Sequence, residues 1–327
     1  MDGGRAVSRL PSGIAERTSR PDGSLADAAH TLGAMGIAHV IVGDLTQRDP
    51  TAVAAIVEEH GSHGLVVLTD VDARRLDGTV LAALARAGVG GFRIRAPADR
   101  DASEWRKTIA EIRRVAPACL FLAWMPGTAR PAARRLEGAG FDGAFASTAW
   151  WDGRAPWLAD EHEALRRVAP VISVVGLDGA APGRAGLAAR RRALRIAAAT
   201  GAGLLVPEDF AATEGGSDLS GDVRAAIALA ERIAAMGFDG EMRFAAPLPP
   251  APAVIVRADR PDMRGARRLL IVAIDPSDRA PPTALWDAVA MAAGAGFDSP
   301  MPLDDAGDAG GARRRVGGRR RDRHECL

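Results

Sequence analysis

Two hydrophobic patterns alternate through the middle of the chain. Short runs rich in apolar and β-branched residues recur at 38–44, 64–71, 91–96, 118–124, 140–148, 171–178 and 203–207. Around them lie longer segments of Ala, Arg, Leu and Glu with helical spacing, near 24–36, 50–60, 78–87, 103–115, 129–139, 158–167, 184–200 and 219–236. The short runs have the length and composition of buried strands. The longer segments repeat their apolar positions every three to four residues, as helices lying on a core do. Most helical segments stop at a glycine or proline just before the next strand, as in Arg86-Ala87-Gly88 and Val115-Ala116-Pro117. Such residues end a helix and hand the chain to the following strand.

Strands alternating with helices predict a parallel α/β fold, either an open doubly wound sheet or a (β/α)₈ barrel of the TIM type. No Gly-x-Gly-x-x-Gly follows the first run, where the chain reads Val42-Gly43-Asp44-Leu45. The glycines of Gly88-Val89-Gly90-Gly91 precede a strand, which is the wrong side for phosphate binding. Length and repeat count therefore favour the barrel, over 24–240, with its first strand missing or unrecognised. Residues 1–23 read as a disordered Gly/Ser/Arg-rich coil. Past 240 the pattern changes. Residues 246–252 form a stiff Pro-rich linker. Two β-like runs at 253–257 and 268–274, then a helix-like stretch at 283–294, predict a partial, truncated β domain over 253–300. Residues 301–327 read as a disordered Gly/Arg-rich tail.

Composition narrows the function classes. The formal net charge of +1 argues against a dedicated nucleic-acid binder. The local exception is the tail, with seven arginines between Arg313 and Arg323. It reads either as a nucleic-acid arm or as sequence without selected structure, and its abrupt change of composition favours the latter. No apolar run is long enough to span a membrane, and the N-terminus has no apolar signal-peptide core. Two cysteines, Cys119 and Cys326, make no disulfide framework, so the cytoplasm is the expected compartment. No Cys/His cluster has the spacing of a metal site, and no metal or cofactor is expected. His60 and His63 sit where cations suit the end of a helix.

In a barrel, chemistry gathers on the loops after the strands. The side chains there are Asp44, Asp70, Asp72, Arg93, Arg95, Trp124, Trp150, Trp151, Asp152, Asp178, Glu208 and Asp209. The acids suit a glycosidase or a metal site, and equally serve as caps for the next helix. Of the adjacent tryptophans Trp150 and Trp151, only one can face a pocket if the pair lies on a strand.

Several of these segments, in order, resemble the α-amylase superfamily. Gly90-Gly91-Phe92-Arg93-Ile94-Arg95 is similar to its fourth-strand motif, Gly-Phe-Arg-x-Asp, which supplies the nucleophile. Trp105 to Arg114, then Cys119-Leu120-Phe121-Leu122-Ala123-Trp124, resemble the next helix and the fifth strand, which ends in the general-acid glutamate. Gly140-Phe141-Asp142-Gly143-Ala144-Phe145, followed by Trp150-Trp151-Asp152, resembles the sixth-strand region of the maltose-1-phosphate-dependent maltosyltransferases. Val174-Val175-Gly176-Leu177-Asp178 matches the seventh strand with its third carboxylate. The resemblance covers roughly residues 24–275. It implies retaining α-1,4-glucan chemistry in glycogen or α-glucan metabolism, without a cofactor. In the family the arginine matched by Arg93 sits beside the nucleophile. Arg93 and Asp70 are the expected substrate-binding residues, with Trp150 or Trp151 as a platform for a sugar ring.

The departures matter as much. Retaining transfer needs two carboxyl groups about 5–5.5 Å apart, one attacking and one protonating the leaving oxygen. Here the nucleophile position is Arg95 and the acid position is Trp124, while the third carboxylate persists as Asp178. A guanidinium only donates hydrogen bonds, and an indole carries no transferable acid proton. The third-strand motif, Asp-x-x-x-Asn-His in the family, reads Asp70-Val71-Asp72-Ala73-Arg74-Arg75, and the insertion that usually follows it is absent. The expectation is a catalytically inactive barrel of this type. The alternatives are an active enzyme using displaced carboxylates (Asp99, Glu104, Glu208 or Asp209) and a non-catalytic module that binds a glucan or a subunit. Expected partners are an α-glucan, a sugar phosphate, a second copy of the chain or the remainder of a longer enzyme. Arg93 and Arg95 alternate with Ile94, so both should point into the barrel and need anions. Asp70, Asp72 and Asp178 are the internal candidates, favoured over a bound phosphate.

Overall fold

The computed structural model describes residues 10–17, 25–151, 157–176, 187–211, 218–235, 242–245, 253–258, 269–274 and 300–302 of the 327-residue chain. Eight parallel strands close into a barrel in chain order: β1 (Gly13–Glu16), β2 (His39–Ile41), β3 (Val66–Asp72), β4 (Gly91–Arg95), β5 (Leu120–Trp124), β6 (Gly143–Ala146), β7 (Val171–Val174) and β8 (Gly203–Pro207). The helices that follow them are α1 (Leu25–Met35), α2 (Pro50–Ser62), α3 (Gly78–Arg86), α4 (Ala102–Val115), α5 (Arg130–Arg134), α6 (Trp157–Leu165), α7 (Leu187–Thr200) and α8 (Ser220–Ala235). This is the (β/α)₈ barrel that the alternating pattern predicts.

The barrel is complete: its first strand is present, unrecognised in the sequence and not missing, and it corrects the reading of residues 1–23 as coil throughout. β1 lies inside the segment read as coil and pairs in parallel with both β2 and β8. Four residues opening on a glycine give too short a period-2 signal to stand out from Ser12 and Pro11 before them. The glycine has a packing reason. A Cβ at Gly13 would lie 2.7 Å from Ile227 Cδ1 on α8, so the strand can seat against that helix only without a side chain there.

Helix starts are well specified. The Asp101 carboxylate accepts from the backbone of Ser103 and Glu104 at the start of α4, and Glu104 returns the contact as a capping box. Asp49 and Asp77 cap α2 and α3 in the same manner. In α4, Trp105, Ile109 and Ile112 recur at helical spacing and are buried together against the barrel wall. The helix expected over 129–139 is one short turn, α5, followed by turns through Gly138 and Gly140, both at positive φ.

Strand alternation sorts the interior. Ile14, Ile41, Leu68, Leu120, Leu122, Phe145, Ile172, Val174 and Leu205 form one buried cluster inside the barrel, with Leu10 below and Trp124 above. A second sheet follows α8: β9 (Met242–Ala245), β10 (Ala253–Ala258), β11 (Leu269–Ile274) and β12 (Pro300–Pro302). β9, β10 and β11 run antiparallel, and β12 adds in parallel to β11. The sequence predicted only β10 and β11. The flanking strands are three or four residues long and carry no alternation of their own. The tail read as disordered over 301–327 begins in β12, which takes in residues 301 and 302. The linker 246–252, the helix-like 283–294 and residues 303–327 lie outside the described residues.

Candidate active site

The C-terminal mouth of the barrel is built by the last inward residues of β1, β3, β4 and β5. Parallel register sets Asp70 of β3 beside Arg93 of β4, and Asp72 beside Arg95. Phe92 and Ile94 face outward into the core under the helices, which turns Arg93 and Arg95 inward. Arg93 is almost fully buried, with 4% of its side chain exposed. Its Nε donates to Asp70 Oδ1 at 2.5 Å, and its Nη2 donates to Asp70 Oδ2 at 2.8 Å and to Glu16 Oε1 at 2.6 Å. The guanidinium stacks over the Trp124 ring, 4.8 Å from the centroid, and Trp124 packs in turn on Phe145 at 5.4 Å. Burial disfavours the Arg93 charge, but the hydrogen bonds and charges of Asp70 and Glu16 outweigh it, and the pKa moves up. A fork-on-carboxylate pair with a second carboxylate on the same nitrogen is the strong form of this contact.

Arg95 behaves differently although it shares a face with Arg93. Its side chain is 60% exposed, and its Nη2 comes only within 3.5 Å of Asp70 Oδ2. Asp72, its register partner, turns instead to Arg74, accepting from Nη2 at 2.6 Å and from Nε at 2.9 Å, and caps the short turn that follows. Those contacts hold the Asp72 carboxyl at about 2. Of the internal anions expected for the arginine pair, Asp70 meets Arg93, Asp72 does not meet Arg95, and Asp178 lies outside the described residues. Glu16 is the member that sequence reasoning missed, because it ends the strand that was read as coil.

The structure places the other expected residues as follows. Asp44 folds back on Thr46, accepting from its N–H at 2.8 Å and its hydroxyl at 2.6 Å. Asp99 is 3.8 Å from Arg74, Glu104 closes the capping box of α4, and Glu208 is 3.8 Å from Arg17. Asp209 sits with Glu208 in a short turn of helix after β8. Trp150 and Trp151 are not on a strand but end a turn of 3₁₀ helix, Thr148–Trp150. They still separate: Trp150 is 50% exposed, while Trp151 packs into the core beside α7 and β8. Asp152 lies outside the described residues.

At the mouth, Asp70 and Glu16 both point inward and both accept from the Arg93 guanidinium. Trp124 ends β5, and an indole carries no transferable acid proton. Among the described residues no group of three or more His, Cys, Asp or Glu is placed to hold a metal ion. Among them, too, no helix is long and apolar enough to cross a membrane.

No family model matches the chain. In sequence it is 34% identical over 242 residues to an α-1,4-glucan:maltose-1-phosphate maltosyltransferase from Burkholderia pseudomallei. That match takes in 65% of this chain and 21% of the relative, so the chain spans about a fifth of the length of the curated relative. In fold it is similar to a cyclic α-maltosyl-(1→6)-maltose hydrolase from Arthrobacter globiformis, with a TM-score of 0.52 and 13% identity over 82% of this chain and 92% of that one. It is similar also to an α-amylase from Geobacillus thermoleovorans, with a TM-score of 0.52 and 12% identity over 77% and 85% of the two chains. At such identities these structures speak for the fold. Barrel, strand order and sequence together make this chain one that resembles the α-amylase superfamily and, within it, the α-1,4-glucan:maltose-1-phosphate maltosyltransferases.

Proposed function

We propose that this chain is a catalytically silent barrel of the maltosyltransferase type, working beside α-glucan metabolism as a binding element and not as a transferase. The observation that carries the reading is the end of β4 and of β5, where Arg95 and Trp124 stand in place of carboxyl groups beside an Arg93 held by Asp70 and Glu16. Arg95 and Trp124 stand at the nucleophile and acid positions that the resemblance assigns. Neither can attack an anomeric carbon or protonate a leaving oxygen. Of the four carboxylates that could rescue activity, Glu104 serves a helix cap, Asp99 and Glu208 lie 3.8 Å from Arg74 and Arg17, and Asp209 sits beside Glu208, so the last two are the ones to test. Its partners on this reading are an α-glucan or a sugar phosphate, and its compartment is the cytoplasm, in keeping with Cys119 as a buried free thiol.

A second reading is favoured by one fact, the fifth of the relative's length that the chain spans. On that reading the barrel and the sheet from β9 to β12 form a non-catalytic module of a longer enzyme, or pair with a second copy.

The test is turnover. Purified protein is incubated with maltose-1-phosphate and glycogen, and separately with maltooligosaccharides. Neither phosphate release nor new chain lengths are expected. Turnover that disappears in Glu208→Ala or Asp209→Ala would overturn the silent reading and establish displaced carboxylates.

A further inference from the structure

Two residues of α2 are buried, Val53 and His60, and His60 lies in the last turn. A cation suits that end of a helix, yet the surroundings of His60 deny it a charge. Its Nε2 lies 3.0 Å from Nη1 of Arg17, the residue that follows β1. A guanidinium only donates, so Nε2 is the bare, accepting nitrogen. The proton of the neutral ring is then on Nδ1, which donates to the Ile56 carbonyl at 2.7 Å. The fold thus selects one tautomer from both sides of the ring. Burial is the largest influence on His60 and pushes its pKa down. Arg17 and His63 push the same way, against the Ile56 carbonyl and Glu59. Of the elements packed on α2, β3 carries no titratable group before Asp70, which Arg93 holds, and α3 brings only the exposed Arg86.

A second proton on the ring sets Nε2–H against the N–H of Arg17, and the two donors must part. Arg17 keeps its backbone place, since its own N–H donates to the Ile41 carbonyl at 3.0 Å. The anion within reach of its side chain is Glu208, just after β8, whose Oε2 lies 3.8 Å from Arg17 Nε. Both side chains are largely buried, at 22% and 20% exposure, so the exchange of partners takes place out of bulk water. We infer that His60 is a proton-operated switch: neutral, it holds the Arg17 guanidinium on α2, and protonated, it yields Arg17 to Glu208. The switch sets the pairing of a carboxylate on the loop after β8. It acts one residue from Glu16, which holds Arg93 at the mouth. It operates whether or not the barrel is catalytic. Its sign follows from the depressed pKa. The contribution of neutral His60 to stability is present above the unfolded imidazole value and is lost as pH falls through the folded value.

The experiment is an NMR titration of the full chain carrying ¹⁵N-labelled histidine, with His60→Gln identifying the His60 signals. The Nδ1–H tautomer is expected at neutral pH, with protonation below the ordinary imidazole range. Arg17→Met should raise the His60 pKa by about half a unit or more, a gain of about threefold in proton affinity. Urea midpoints supply the second arm. Glu208→Gln should cost more stability below the His60 titration than above it, and His60→Gln should remove that difference. An Nε2–H tautomer, or a His60 pKa that Arg17→Met leaves unchanged, would overturn the contact on which the switch rests. A Glu208→Gln cost that does not vary with pH would overturn the transfer of Arg17 to Glu208.

Discussion

Two places at the C-terminal end of the barrel hold carboxylates partly or wholly out of water. The mouth has Asp70 and Glu16; a side pocket between the loops after β5 and β6, lined by Arg130, Ser147, Trp150 and Trp157, has Glu161. They hold them in opposite ways. At the mouth, Asp70 and Glu16 share a buried guanidinium, and the stacked Trp124 seals the group. In the side pocket, Glu161 has only a hydroxyl and an amide N–H as direct partners. Burial is the largest influence on Glu161 and pushes its pKa up, against the hydrogen bonds from Ser147 and the more distant Arg130. A cation among carboxylates takes part of their acceptor capacity and ties them to one partner. Neutral donors around a carboxylate brace a cavity and leave its walls open.

The comparison can be broken most forcefully at Arg93. Replacing it with Ala leaves Asp70 buried, and Glu16 half-buried, without their cation. Loss of one partner of a buried ion pair costs about 3–5 kcal/mol. Denaturant unfolding of Arg93→Ala should show that loss. A change under about 1 kcal/mol would mean that the carboxylates are solvated and the mouth is open.

The side pocket gives a smaller, pH-dependent signal. Glu161 has a raised pKa in the folded chain, so the native state holds its proton more tightly than the unfolded state does. Its contribution is fully present below the unfolded carboxylate value and is lost as pH rises through the folded value. Glu161→Gln removes this slope and keeps the Ser147 contacts, since the hydroxyl can reverse its role. Urea midpoints of the two proteins, measured from acid to neutral pH, should converge at low pH and shift in favour of the glutamine as pH rises. Parallel profiles would contradict the buried carboxyl.

Arg95 carries the smallest expected effect on stability. It is mostly exposed and touches Asp70 only at 3.5 Å, so Arg95→Ala should shift stability by about 0.5 kcal/mol or less. A larger loss would place Arg95 inside the network with Arg93.

Most of the barrel was legible because each of seven strands follows a helix with a clear stop, and because aspartates cap α2, α3 and α4. β1 was not legible, since Gly13-Ile14-Ala15-Glu16 is too short to show a period and its glycine is explained only by Ile227, more than two hundred residues away. With β1 went Glu16, and so the sequence pointed to the Asp70–Arg93 contact but not to its third member. The sequence put Arg93 and Arg95 on one face, which alternation requires. It could not show that the strand end lifts Arg95 to the rim, or that Asp72 is taken by the next turn as a cap. The side pocket was half legible. Trp150 was singled out, but Glu161 and Ser147 lie fourteen residues apart on different elements, and only the fold joins them.

The central claim is that the mouth is closed, and calorimetry with maltose-1-phosphate tests it most directly. Asp70 and Glu16 hold Arg93 through Nε and Nη2, while its Nη1 is buried without a hydrogen-bond partner among the described residues. If the two carboxylates neutralise the guanidinium, maltose-1-phosphate should bind no more tightly than maltose, with no change in Arg95→Ala. Binding tighter than that of maltose, abolished by Arg95→Ala in a folded protein, would contradict the account and make the mouth a phosphate site.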